Sequence, residues 1–202
     1  MKLIYFNGEV RAELIRLVLV QGGIEFEDFR FEFKDWPKIK AEGGFPFTQV
    51  PVLEVNGQKI CQSRAIARYA ARLAGLAGKN LEEEALADMY VSAIDDDVLE
   101  NFWKCAYFEQ DPEKKAELQK KFKEETVPKF LRNLDRLYES SGGDYLLGNS
   151  LTYADLAYYR MIKTVSGLVG DVSSDRLKSL YQRVAALPKI AHWEETKPKP
   201  AF

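Results

Sequence analysis

Residues 50–63, which read VPVLEVNGQKICQS, are the most informative segment for the fold class. The apolar run 50–55 is typical of a strand, and Asn56-Gly57 is the dipeptide that most strongly indicates a two-residue hairpin turn. The returning strand covers 58–61, and from Ser63 the apolar residues recur at helical spacing. This segment therefore predicts a β-hairpin followed directly by a helix.

The residues before this hairpin predict three further elements. Residues 3–6 are an apolar strand candidate, and residues 11–21 carry a helical apolar stripe that ends at Gly22-Gly23. Residues 26–33 alternate with a period of two, which predicts a strand with one aromatic face. The following segment, which contains Trp36-Pro37, is predicted to lack regular structure. The order β-α-β-loop-β-β-α is that of a thioredoxin-like domain, although the order alone also fits other small α/β folds.

After a small, polar linker at 75–80, the second half of the chain reads as helices only. Asp111-Pro112 supplies an N-cap followed by proline at the first helical position. Thr152 and Asp155 have the spacing of a capping box. Helices are predicted at 81–108, after Asp111, after Thr152, and at 175–186 and 188–195. The chain is therefore predicted to be α+β, with one α/β domain at 1–75 and an all-helical domain at 81–202.

Composition excludes several functional classes. Hydrophobic residues make up 46% of the 202 residues and the formal net charge is −2, so no global charge favours nucleic acid. No apolar run is long enough to span a bilayer, and the first residues lack the features of a signal peptide. Cys61 and Cys105 form no C-x-x-C pair and there is one histidine, so no metal site is expected. We expect a cytoplasmic protein that binds neither nucleic acid nor membrane.

Several motifs occur together in an order that is specific when taken jointly. They are Leu3-Ile4-Tyr5-Phe6-Asn7 with Arg11-Ala12-Glu13, Asp35-Trp36-Pro37-Lys38-Ile39-Lys40, Gln49-Val50-Pro51-Val52-Leu53-Glu54, Gln62-Ser63 with Ala65-Ile66-Ala67-Arg68-Tyr69, Ile94-Asp95-Asp96, Gly148-Asn149-Ser150-Leu151-Thr152-Tyr153-Ala154-Asp155, and the tail Lys-Pro-Lys-Pro-Ala-Phe. Through these motifs, essentially the whole chain resembles the sigma-type cytosolic glutathione transferases, including nematode, fluke and prostaglandin D synthase members. The resemblance implies glutathione as a co-substrate and a soluble homodimer.

The resemblance assigns the catalytic roles to Tyr5 and Arg11. A free thiol with a pKa of about 8.5 is only a few per cent thiolate at neutral pH, and the thiolate is the nucleophile. In this family the tyrosine hydroxyl donates a hydrogen bond to the sulfur, and an arginine such as Arg11 adds positive potential. From the residues alone, Tyr5 also fits a core aromatic of an edge strand.

Glutathione is an anionic tripeptide whose two carboxylates need separate anchors. By resemblance, Gln62 and Ser63 bind the γ-glutamyl carboxylate at the start of a helix, although a plain N-cap is the simpler reading of Ser63. The glycyl end is assigned to Trp36 and Lys40, which otherwise fit a solvated helix face. By the same resemblance, the peptide part of glutathione is bound by Gln49, Val50 and Pro51. The proline at this position is cis in the family.

Further assignments concern the partner chain and the electrophile. Asp96 is expected to reach the γ-glutamyl ammonium of a second subunit, although an acidic run such as 95–97 is more often a solvated surface. Phe47 is a candidate contact with that subunit. Some relatives bind a divalent ion at this place with an acidic cluster. This chain has Ser92 at the position of one of those acids, so no metal is predicted. The electrophile candidates, each of which also fits ordinary packing, are Phe6, Val10, Trp103 and Tyr107.

The chain departs from the family pattern in the first loop and near the proline. Relatives usually have Arg-Gly where this chain has Glu9-Val10, and glycine where it has Thr48. Glu9 reverses a local charge, whereas no glutathione anchor is lost. The predicted function is conjugation of glutathione to small hydrophobic electrophiles. The alternatives are a glutathione-dependent prostaglandin isomerase and a crystallin-like or ligand-carrier protein with weak activity.

Overall fold

The computed structural model describes residues 1–171 and 173–199. The chain divides into two compact units: Met1–Ala77 together with Leu187–Phe202, and Gly78–Ala186. Contacts within one chain do not show which segments fold independently, so the domain ranges 1–75 and 81–202 stay a prediction. The last three residues of the motif in the tail, 200–202, lie outside the described residues.

The first unit contains a four-stranded sheet in the order β2-β1-β3-β4. Its central strand β1 pairs in parallel with β2 and antiparallel with β3, and β3 pairs antiparallel with β4. The strands are β1 (Lys2–Phe6), β2 (Glu27–Phe31), β3 (Val52–Val55) and β4 (Gln58–Cys61). The four predicted strands and the mixed α/β class of this unit are confirmed, whereas the order of the strands within the sheet was not predicted. Strand β2 is shorter than predicted, because Phe33 already lies in a short 3₁₀ turn, Phe33–Asp35.

Helices α1 (Glu13–Gly22) and α3 (Ser63–Leu73) pack against each other in this unit. Their apolar faces are buried; Leu14, Ile15 and Val18 of α1 and Ile66 of α3 are at most 2% exposed. Burying aliphatic side chains of this size stabilises the fold by roughly 1.5–3 kcal/mol each. The spacing that predicted these helices is therefore the spacing of residues that form the core.

A third helix, α2 (Trp36–Ala41), contradicts the prediction that this segment lacks regular structure. The prediction treated Trp36-Pro37 as a break. Pro37 lies instead in the first helical turn. An N–H at this position would have no acceptor within the helix, so its absence breaks no hydrogen bond, and the fixed φ of proline favours the helix. As a result, Trp36 and Lys40 are held by a helix rather than by an irregular loop.

The hairpin turn between β3 and β4 matches its prediction. Asn56 and Gly57 both have positive φ, 50° and 76°, as a two-residue turn of the primed type requires. Glycine adopts this conformation without steric cost, and asparagine tolerates it. The turn fixes the register in which Val52 faces Cys61 and Val55 faces Gln58.

The second unit, as far as it is described, is built from helices. Residues 81–108 form one continuous run, as predicted, in which two π-helical segments interrupt the α-helical geometry. Asp111 caps the next run by accepting hydrogen bonds from the N–H groups of Glu113 and Lys114 at 3.0 and 3.1 Å. The helices are α4 (Leu81–Ala93), α5 (Glu100–Trp103), α6 (Pro112–Lys121), α7 (Val127–Ser141), α8 (Tyr153–Val169) and α9 (Asp175–Ala185).

The predicted capping box at the start of α8 is present. The Asp155 carboxylate accepts hydrogen bonds from the N–H of Thr152 at 2.8 Å and from the Thr152 hydroxyl at 3.1 Å. It also accepts one from the N–H of Leu146 at 2.8 Å. Because Asp155 is fully buried, this carboxylate satisfies donors that water cannot reach.

The last helix, α10 (Pro188–Thr196), belongs to the first unit and lies against α1. Pro188 occupies its first turn, and Lys189 donates a hydrogen bond to the carbonyl of Gln21 at 3.3 Å. Across the described residues, no helix has both the length and the apolar character needed to cross a membrane.

Candidate functional site

A cavity of about 490 Å³ lies in the first unit, where the end of β1, helix α2, the segment before β3 and the start of α3 meet. These four segments are far apart in sequence, and the sheet brings their ends together. The described residues that line the cavity are Phe6, Arg11, Trp36, Lys40, Thr48, Gln49, Val50, Pro51, Gln62 and Ser63.

Tyr5 does not line the cavity, although it directly precedes the lining residue Phe6 on β1. Its side chain is only 5% exposed, and its ring meets the ring of Phe6 edge to face at 5.3 Å. The Tyr5 hydroxyl oxygen accepts a hydrogen bond from the backbone N–H of Arg11 at 3.4 Å. That contact occupies a lone pair of the oxygen, so the hydroxyl proton is directed elsewhere.

The N-terminus of α3 forms one wall of the cavity. Gln62 precedes the helix with φ 72° and ψ 111°, a conformation that non-glycine residues rarely adopt and that clusters at ligand sites. The first turn of α3 carries no acidic side chain, and no side chain caps it. The N–H groups of the first turn have no acceptor within the helix, and together with the helix dipole they favour an anion beside Ser63.

Trp36 and Lys40 form the opposite wall from helix α2. The indole of Trp36 is held by three aromatic rings, those of Phe6, Phe31 and Phe45, at centroid distances of 5.9, 5.7 and 5.3 Å. The ammonium of Lys40 lies 6.0 Å from the Trp36 ring centroid and is exposed. This wall therefore presents a fixed indole beside a solvated positive charge.

The segment before β3 completes the cavity. The Val50–Pro51 peptide bond is cis, as the resemblance implies. Thr48 also lines the cavity and has a positive φ of 51°. Thr48 was not among the predicted site residues, but the departure from glycine at this position was a signal that could have identified it, since glycine readily adopts positive φ.

The other predicted residues are not part of this lining. Val10 is half-buried in the loop after β1. In the helical unit, Asp96 is exposed, and the rings of Trp103 and Tyr107 contact each other at 5.4 Å. The roles of these four residues stay a prediction.

Family comparisons match both halves of the chain. The family model described as the N-terminal domain of glutathione S-transferase matches residues 1–72, and the C-terminal domain model matches residues 96–197. The chain belongs to the glutathione S-transferase family. The predicted family, fold class and enzyme status of this transferase are therefore confirmed.

Relatives of this transferase match over nearly their full lengths. Hematopoietic prostaglandin D synthase of Gallus gallus is 41% identical over 208 residues, covering 100% of this chain and 98% of the relative. Glutathione S-transferase 1 of Ascaris suum is 36% identical, with the same coverage of both chains. A solved structure of rat hPGDS complexed with a quinoline has a TM-score of 0.87 at 34% identity, covering 100% of this chain and 98% of that chain. The transferase thus resembles both enzymes named as transferases and enzymes named as prostaglandin synthases.

The acidic side chains of the helical unit form no metal centre within residues 1–171 and 173–199. No group of three or more histidine, cysteine, aspartate or glutamate side chains in this part of the chain is placed to hold a metal ion. Asp95 forms an ion pair with Arg160 instead.

Proposed function

We propose that this transferase binds glutathione in the cavity of the first unit and conjugates its thiol to small hydrophobic electrophiles. One observation supports this most directly. Eight of the ten residues predicted to bind glutathione line this single cavity, namely Arg11, Trp36, Lys40, Gln49, Val50, Pro51, Gln62 and Ser63. Because they come from four separate segments, packing alone gives no reason for their convergence.

The thiolate would be stabilised by the Tyr5 hydroxyl and by the positive charge of Arg11. Lowering a thiol pKa by about two units requires about 2.7 kcal/mol of preferential stabilisation of the anion. A hydrogen bond donated to a charged acceptor supplies roughly 1.5–3 kcal/mol, so one directed hydroxyl accounts for most of this requirement. The Arg11 N–H donates to the Tyr5 oxygen, and the hydroxyl of Tyr5 would donate its own proton to the sulfur when glutathione binds.

The two carboxylates of glutathione would bind at opposite walls of the cavity. The γ-glutamyl carboxylate fits the start of α3, where Ser63 and the first-turn N–H groups lie at the positive end of the helix dipole. The glycyl carboxylate fits the indole N–H of Trp36 and the ammonium of Lys40. Gln49, Val50 and Pro51 lie on the segment between, where the peptide part of the ligand would run.

The electrophile needs an apolar surface beside the sulfur. Phe6 supplies one, since it lines the cavity and follows Tyr5 directly on β1. Val10 lies in the loop after this strand. We assign the remaining apolar surface to Trp103 and Tyr107, following the family resemblance. We further propose that the enzyme works in the cytoplasm and without a bound metal, as the resemblance implies.

A conjugation assay tests the proposed function. The purified protein is expected to couple glutathione to 1-chloro-2,4-dinitrobenzene, with saturation in both substrates. Mixing the protein with glutathione alone is expected to produce the ultraviolet thiolate band below pH 8, where free glutathione shows little. Binding of glutathione without turnover would favour the carrier alternative, and absence of binding would contradict the proposal.

A second candidate function is isomerisation of a prostaglandin endoperoxide, which uses the same thiolate. It is favoured by the 41% identity to the Gallus gallus prostaglandin D synthase. Incubation with the endoperoxide and glutathione separates the two functions, because isomerisation returns glutathione unchanged whereas conjugation consumes it.

We also propose that the enzyme is a homodimer, in which Asp96 contacts the glutathione ammonium of the partner. Asp96 is exposed and Phe47 is 71% exposed, so the surface of a second subunit could reach both residues. Burying such a ring at an interface contributes about 1.5–3 kcal/mol.

Sedimentation equilibrium is expected to give the mass of two chains for the wild type. Phe47→Ser is expected to weaken the dimer about 10- to 100-fold. Phe33→Ser is a matched control, because Phe33 is 67% exposed and has no predicted role at the interface. A wild type that sediments as one chain at micromolar concentration would contradict the dimer.

A further inference from the structure

Lys197 lies after α10 and meets three carboxylates. Its ammonium is 2.8 Å from Glu9 Oε1, 2.9 Å from Glu13 Oε1 and 2.9 Å from Glu194 Oε2, and its side chain is only 7% exposed. Burial lowers the pKa of Lys197, but the three carboxylates outweigh burial and hold this pKa above its usual value. The lysine is therefore a fixed positive charge.

Glu13 is the buried centre of this cluster. It is 1% exposed in the first turn of α1 and accepts further hydrogen bonds from Trp193 Nε1 at 3.1 Å and Arg16 Nη1 at 3.3 Å. Burial raises its pKa, but Lys197 and Arg16 outweigh burial and keep the pKa of Glu13 below its usual value. Glu13 is thus a buried anion whose carboxylate is bonded to Lys197, Trp193 and Arg16.

The same cluster holds the loop 7–12, which carries Arg11. Arg16 donates to the carbonyl of Gly8 at 2.7 Å, which fixes the beginning of the loop. Glu9 bonds to Lys197 through its side chain, and its carbonyl accepts from the N–H groups of Ala12 and Glu13 at 3.1 and 2.9 Å. The loop then places the Arg11 N–H on the Tyr5 hydroxyl oxygen.

Removal of the Lys197 charge would act first on this loop. Glu9 and Glu13 each have an oxygen within 3 Å of the ammonium, so these oxygens are within roughly 6 Å of each other and repel without it. Glu13 is buried in a helix and cannot yield, whereas the Glu9 side chain is 31% exposed and can turn to water. The loop would therefore lose the contact between the Glu9 side chain and Lys197, which leaves the loop and the Arg11 N–H less firmly positioned.

We propose that Lys197 is a positioning residue for the thiol-activating group. Its ammonium bonds to the carboxylates of both Glu9 and Glu13 and cancels the repulsion between them. The loop 7–12 is then held in place, so that the Arg11 N–H orients the Tyr5 hydroxyl. The proposal rests on the proposed function, because it concerns the residues that activate glutathione. The proposal also gives a role to Glu9, whose charge departs from the family pattern. Glu9 binds Lys197 and ties the loop to it.

The test compares Lys197→Met with Lys197→Arg. Methionine keeps the length of the side chain without the charge, whereas arginine keeps the charge. Lys197→Met is expected to raise the thiol pKa of bound glutathione by about half a unit and to lower kcat/KM about 3- to 10-fold, while the Kd for glutathione changes less than 2-fold. Lys197→Arg is expected to restore most of the activity and of the pKa shift.

Two further variants separate positioning from stability. Glu9→Ala leaves the Lys197–Glu13 pair intact but removes the side chain that ties the loop to Lys197, so it is expected to shift the thiol pKa in the same direction, even if Lys197→Met folds poorly. Lys189→Met is the matched control, because it removes a contact of α10 with Gln21, away from the loop, and should leave the thiol pKa unchanged.

A lowered Tm in Lys197→Met, with a thiol pKa and kcat/KM of folded enzyme equal to those of the wild type, would overturn the positioning role. So would a normal thiol pKa in Glu9→Ala. A wild type that shows neither thiolate band nor turnover contradicts the proposed function itself and is recognised before any variant is compared.

Discussion

Tyr5→Phe is expected to lower kcat/KM for conjugation about 100-fold near neutral pH while changing the KM for glutathione less than about 3-fold. Loss of the hydroxyl returns the bound thiol toward its unperturbed pKa of about 8.5, and removing one directed donor from a charged group in an active site typically costs a factor of 10²–10³. The anchors assigned to the two carboxylates, Ser63 and Lys40 among them, are unchanged, so binding is retained. The measurement is the pH profile of kcat/KM together with the thiolate band of bound glutathione.

A matched variant, Tyr69→Phe, removes a hydroxyl from helix α3 of the same unit and is expected to leave both readouts unchanged. The difference in kcat/KM between Tyr5→Phe and the wild type should become smaller as the pH rises through about 8.5, because the thiol then ionises without help. Full turnover of Tyr5→Phe at neutral pH would show that another group activates the thiol.

Asp155→Ala is expected to destabilise the protein by about 3–5 kcal/mol. The substitution leaves the N–H groups of Leu146 and Thr152 buried without an acceptor, and each such donor costs roughly 1–3 kcal/mol. Urea denaturation of the wild type and the variant gives the difference. Asp111→Ala is the control, because it removes a cap from an exposed helix and is expected to cost only about 1 kcal/mol. Equal losses in the two variants would contradict a special role for the buried carboxylate.

Asp155→Asn adds a pH-dependent test. Burial raises the pKa of Asp155 to about 6, although the hydrogen bonds from Leu146 and Thr152 oppose the shift. Since the folded state binds the proton more tightly than the unfolded state, this group adds stability below its unfolded pKa of 3.8, and that stability is lost as the pH rises through about 6.

Asparagine does not titrate, so the wild type should exceed Asp155→Asn by about 1 kcal/mol more at pH 5 than at pH 7. A difference in unfolding free energy that is constant between pH 5 and pH 7 would show that the carboxylate stays ionised in the folded state.

At the cavity, the tertiary structure shows how the predicted glutathione anchors are held, which the sequence did not predict. The resemblance named Trp36 and Lys40 as anchors, but the segment that carries them was predicted to be irregular. Helix α2 carries both residues, and three rings pack around Trp36; that packing depends on residues from β1, β2 and the later loop. Thr48 was missed as a lining residue because its position depends on the same convergence.

The sequence alone determined several turns and helix caps of this protein, because each of them depends only on residues that are neighbours in the chain. Asn56-Gly57, Asp111 and the Thr152–Asp155 pair act through the backbone within a few residues, so their turns and caps could be predicted without the fold. Except for α2, the order of strands and helices in the first unit followed from apolar spacing. The family followed from several such motifs in sequence order.

Only the tertiary structure decided which distant residues meet. Glu9 looked like an isolated charge reversal in the sequence, and nothing local connects it to Lys197 near the other end of the chain. The contact forms because α10 packs on α1 and brings the lysine to a buried carboxylate, where an unpaired charge would be costly. Pairing over such a separation depends on the energy of the whole packed unit, and no short segment of the sequence contains that information.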